Sequence, residues 1–90
     1  VTRNKLRAAK WHAIGQHKIA RGCEAADCPL PEGFDFRAVD LDFDHLHDKR
    51  MNVSNMIRSD YGWAAVLEEI AKCRVLCKIC HARHSARQRA

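Results

Sequence analysis

The sequence predicts a small α+β domain, and three features carry that expectation. Leu6, Ala9, Ala13, Ile14 and His17 recur at helical spacing, so the chain should open with an amphipathic helix. From Ala38 to His45 it alternates, with Val39, Leu41 and Phe43 on one side and Asp40, Asp42 and Asp44 on the other, the period of a half-buried strand. Two cysteine pairs, Cys23 with Cys28 and Cys77 with Cys80, stand far apart in the chain. Four thiolates brought from two tight turns make a closed tetrahedral zinc site, structural rather than catalytic, that would staple the two ends together.

The elements follow in order. Thr2 suits the N-cap of the first helix and Gly22 its stop, with a loosening at Gly15. Residues 1–22 are then a basic N-terminal helix, and residues 23–90 complete a single compact domain. Cys23 to Gly33 carries both prolines and reads as a knuckle and loop. The strand from Ala38 puts Asp44 on its polar face near the end, and His45 steps to the opposite side. Lys49 to Val53 is expected to return as the second strand of a hairpin, with Ser54 opening a brief helical turn. Trp63, Val66, Leu67 and Ile70 space out as a helix with Glu68 and Glu69 on its solvent side. Arg74 to Leu76 leads into the second knuckle, and His81 to Gln88 is helical.

Ninety residues lie near the lower limit at which an apolar core is sufficient, so a metal staple would contribute usefully to folding. An odd cysteine count, a compact Cys-x-x-Cys pair and no apolar signal segment favour zinc over disulfides. The fifth cysteine, Cys73, fits a small buried residue at a helix end. No apolar run approaches the roughly 20 residues that span a bilayer, so a soluble, cytoplasmic protein is expected. The net charge is +5, and all eleven acidic residues lie between two wholly basic ends. That layout suits a polyanion held by the termini around a centre that binds a divalent cation.

Leu41-Asp42-Phe43-Asp44-His45-Leu46, then Lys49, Val53-Ser54, and Glu69-Ile70-Ala71-Lys72-Cys73 running into Cys77-x-x-Cys80-His81, resemble the HNH endonucleases. The likeness is greatest to the small zinc-containing forms of phages and prophages and covers roughly residues 20 to 87. It implies a ββα-metal (His-Me finger) fold with His45 as general base, since an imidazole exchanges protons near neutrality. It also implies that Asp44 and His81 hold a catalytic divalent ion, Mg2+ or one of Mn2+, Ni2+ and Co2+. For a third ligand His84 is preferred over Ser85. The family's asparagine is replaced by Lys72, and Asn52, or Asn55, is expected to take over its orienting role.

By the same resemblance the partner is DNA, contacted through Arg3, Lys5, Arg7 and Lys10 at one end and Arg83, Arg87 and Arg89 at the other. Phosphate contact through these gives salt-sensitive affinity with little sequence preference. His47 is expected to touch solvent or phosphate. A monomer or weak dimer is anticipated, with specificity supplied by a further protein such as a phage-packaging partner. The alternative is a zinc-stabilised DNA-binding module of the same fold without turnover, for which Lys72 is the best argument.

Overall fold

Leu41–His45 forms β1, and it pairs antiparallel with β2, Cys73–Cys77, placing Leu41 opposite Cys77 and His45 opposite Cys73. The computed structural model describes residues 2–89, with side chains through residue 86. The other elements are α1 (Arg3–Arg21), α2 (Val53–Arg58), α3 (Trp63–Ile70) and α4 (Lys78–Arg89). The result is a small α+β fold with a two-stranded sheet and four helices among the described residues.

The hairpin expected from Lys49 to Val53 does not form. Asn52 instead precedes α2, whose Val53, Met56 and Ile57 are all buried at i, i+3 and i+4. That stripe needs a helix, so the strand partner comes from beyond α3. The first strand is also shorter than its alternation suggests. Ala38–Asp40 is a 3-10 turn, in which the Asp40 carboxylate accepts the Arg37 N–H at 2.9 Å, and Val39 is 67% exposed.

Helix α1 begins where expected, with the Thr2 hydroxyl accepting the Lys5 N–H. It ends at Gly22, whose φ of 65° with ψ of −165° is a conformation that favours glycine and whose N–H reaches the Lys18 carbonyl. It runs unbroken through Gly15. There a Cβ would lie 3.2 Å from that of Ala38, so the missing side chain admits the 3-10 turn. The helix buries only Ile14 and Gly15, while Leu6 and Ile19 are exposed. Polar anchors supply the remaining attachment. Arg3 and Arg7 grip the Asp60 carboxylate, and Lys10 donates to the Tyr61 carbonyl.

Two apolar clusters result. Ile14, Val53, Met56, Ile57, Val66 and Ile70 join the first three helices. Leu41, Val75, Leu76, Cys77 and Cys80 join the sheet to α4, and Phe43 packs against both clusters. In α3 the buried residues are Val66, Glu69 and Ile70, while Leu67 is 43% exposed. Glu69 therefore faces inward rather than solvent. Its position three residues after Val66 puts it on the core stripe. No helix among the described residues is long and apolar enough to cross a membrane.

Candidate functional site

Cys23 and Cys28 lie in the loop after α1, Cys77 ends β2, and Cys80 occupies the first turn of α4. The loop is tied to the sheet by Glu24, whose N–H donates to the Val75 carbonyl and whose carboxylate accepts the Val75 N–H. The four Sγ atoms lie within 4.8 Å of one another, and Cys28 and Cys77 are 3.9 Å apart. Sulfurs bound to one zinc at about 2.3 Å would stand roughly 3.8 Å apart, so this donor set fits such an ion. The Cys80 N–H points at Cys77 Sγ, a contact that steadies a thiolate. Burial and the neighbouring sulfurs push the Cys80 thiol well above its usual range. Four sulfurs this close could hold a cation such as zinc, which would stabilise them as thiolates. Cys73 stays outside the cluster. It begins β2 rather than ending a helix, and its thiol donates to the Glu69 carbonyl.

Next to the cluster, β1 presents two groups of polar side chains. On one face, α4 lies across Asp42 and Asp44. His81 Nδ1 is 2.9 Å from Asp42 Oδ2, while its Nε2 is 3.9 Å from Asp44 Oδ1. Burial opposes the charge on Asp42, but hydrogen bonds from Lys78 and His81 outweigh it and hold its carboxyl below the usual range. Asp44 is 8% exposed and accepts from Arg74 Nε at 3.1 Å. Arg74 also contacts His84 Nδ1, and His84 Nε2 stands 3.8 Å from Asp44 Oδ2. Asp44 thus has His81 near one oxygen and both His84 and Arg74 near the other, but among the described residues only the four cysteines bring three or more such donors within 4.8 Å of one another.

Two donors about 2.0–2.2 Å from a common ion can stand as far as roughly 4.4 Å apart. The 3.9 Å between Asp44 Oδ1 and His81 Nε2 is within that limit, while His81 Nδ1 is taken by Asp42. His84 approaches the other carboxylate oxygen, Oδ2, which Arg74 also holds.

His45 faces a cleft of about 320 Å³ that is also lined by Lys18, Asp42, Asn52, Arg58 and His81. Its Nε2 lies 2.8 Å from Glu69 Oε2, and Glu69 is 1% exposed. The same carboxylate accepts the Arg50 N–H at 2.9 Å and Lys72 Nζ at 3.0 Å. Burial pushes Glu69 up, yet these three donors bring its carboxyl down to about 2, so it is ionised. Lys72 also reaches the Asp48 carbonyl, tying the loop after β1 to α3. Asn52 lines the cleft beside His45, and its carbonyl accepts the Met56 N–H at the start of α2. The buried side chain that His45 meets is Glu69, which the periodicity had placed toward solvent; its spacing from Val66 and Ile70 was the available signal.

The basic residues are distributed unevenly. Arg3, Arg7 and Lys10 are occupied against the turn after α2, while Lys5 is exposed. Arg83 is exposed and shares a concavity with Arg74 and His84. The side chains of Arg87 and Arg89 lie outside the described residues. His47 is exposed beside Asp48. Lys18 and Arg58 flank the cleft itself, Lys18 donating to the Leu41 carbonyl and Arg58 to Asn55 Oδ1. Comparison with protein families, characterised proteins and solved structures finds no match.

Proposed function

We propose that this chain is a metal-dependent DNA endonuclease with the ββα-metal arrangement of the HNH enzymes. The observation that carries the reading is an imidazole, His45, which follows Asp44, meets the buried Glu69 carboxylate and lines the same cleft as His81. The succession β1, β2, α4, with Asp44 facing His81 across the strand–helix junction, supports the same view.

Asp44 and His81 would hold the catalytic divalent ion, with His84 the candidate for a third position. Bound there, the ion would neutralise charge on the scissile phosphate and the leaving oxygen. The protein's own groups account for the rest. With its Nε2 against Glu69, His45 would carry its proton there and offer the Nδ1 lone pair to a water molecule. As that water's oxygen bonds to phosphorus, its proton passes to Nδ1 and the P–O3′ bond breaks. The departing oxygen takes a proton from solvent. Lys18 and Arg58 place positive charge along the cleft and draw in the sugar-phosphate backbone. Phosphate contact is the main attraction in this reading, so low sequence specificity is part of the proposal.

Nicking of supercoiled plasmid with Mg2+, Mn2+ or EDTA, run beside His45→Ala, tests this reading. Metal-dependent nicking that disappears in the variant, with zinc content unchanged, is the expected outcome. Arg74 favours the noncatalytic alternative, because its guanidinium already neutralises Asp44. Failure of the folded zinc protein to cleave with any metal, while it still binds DNA, would establish that alternative.

A further inference from the structure

An apolar side chain at position 69 would complete the α3 stripe at lower desolvation cost than a carboxylate. Glu69 is instead surrounded by three donors, and each belongs to the region around the candidate base. One is the His45 ring, one is the Arg50 N–H from the loop after β1, and one is Lys72, which also holds the Asp48 carbonyl of that loop. No buried side-chain polar atom among the described residues lacks a partner, so the network is closed. Its placement gives one carboxylate control of both the imidazole and the loop beside it.

We infer that Glu69 is the positioning residue of His45, fixing the ring proton on Nε2 and aiming Nδ1 into the cleft, with Lys72 as the counter-ion that keeps this carboxylate in place. The inference rests on the nuclease reading for its catalytic consequence, but its geometric content does not. Lys72 then acts through Glu69, holding one carboxylate oxygen while the other meets the His45 ring, and it positions the base without touching it. A carboxylate on the far side of an imidazole selects one tautomer and holds the ring plane.

Two measurements on the zinc-loaded protein test the inference. Long-range 1H–15N correlation of the wild-type histidines should show neutral His45 protonated at Nε2. A predominantly Nδ1-protonated ring would overturn the proposal, whether or not the protein cleaves DNA. In the plasmid assay, Glu69→Gln should lower kcat by about 10- to 100-fold while leaving KM for DNA and zinc content unchanged, as loss of an outer histidine partner does elsewhere. A folded Glu69→Gln protein that cleaves at the wild-type rate would also overturn it. Should Glu69→Gln fail to fold, the wild-type tautomer still decides. Absence of cleavage in the wild type would remove the nuclease reading and leave the tautomer result to stand separately.

Discussion

Leu41 stands directly opposite Cys77 in the β1–β2 register, so the strand bearing Asp44 and His45 is aligned against a member of the cysteine cluster. Cys77 ends β2, and α4 starts at the next residue with Cys80 in its first turn. An ion bound by the four sulfurs therefore also fixes where α4 leaves the sheet, and with it the approach of His81 to Asp42 and Asp44.

Removing that ion should loosen the whole molecule rather than one loop. Native mass spectrometry is expected to find roughly one zinc per chain, closed on four protein ligands. Cys28→Ser and Cys80→Ser should each weaken zinc retention and lower the melting temperature. Chelation should abolish cooperative unfolding. A chelated protein with an unchanged melt would contradict the structural role of the cluster.

Stability in acid should carry a contribution from Glu69. Burial alone would raise its carboxyl, but the Arg50 N–H, Lys72 and His45 bring it to about 2, below the ordinary 4.5. A depressed carboxylate stabilises the fold above its unfolded value and loses that effect as pH falls toward its folded value. The stability advantage of the wild type over Glu69→Gln should thus be complete above pH 4.5 and shrink between there and pH 2. Denaturant melts of both proteins across this range provide the comparison. Parallel pH curves would show that the ionised carboxylate contributes nothing.

Docking of α1 should depend on Asp60. Its carboxylate accepts from Arg3 Nε and from both Arg7 Nε and Arg7 Nη2. Arg7→Ala and Asp60→Ala should each lower the melting temperature slightly, and the double variant should fall no further than the worse single one. Additive losses in thermal melts would mean that the two residues act independently.

The helical cluster should be sensitive to truncation at its centre. Met56 is fully buried among Ile14, Ile57, Val66 and their neighbours. Met56→Ala should cost about 2–5 kcal/mol, through lost burial and the cavity left behind. Equilibrium urea unfolding measures it, and a loss well under 1 kcal/mol would mean that the cluster refills the space.

What could be read from residues close in sequence was legible. Cap residues declare a helix end by hydrogen bonding within one turn, as Thr2 does at Lys5. A Cys-x-x-Cys pair declares a knuckle because both ligands belong to the same turn. Residue alternation placed Asp42 and Asp44 on one face of β1, and α4 does meet them there. The limits of the reading are equally local. Lys49 to Val53 looked extended until the burial of Val53, Met56 and Ile57 showed its last residue opening a helix.

The sequence by itself determined the α+β class, the four-cysteine donor set and the strand carrying Asp44 and His45. Each depends on periodicity or on ligand chemistry expressed over a few neighbouring residues. Only the tertiary structure decided that β1 pairs with Cys73–Cys77, that Arg3 and Arg7 anchor α1 on Asp60, and that Glu69 turns inward to His45. A strand's partner is chosen by what remains after α2 and α3 bury their own faces. Likewise, a carboxylate can be buried only when donors arrive from distant segments to stabilise its charge.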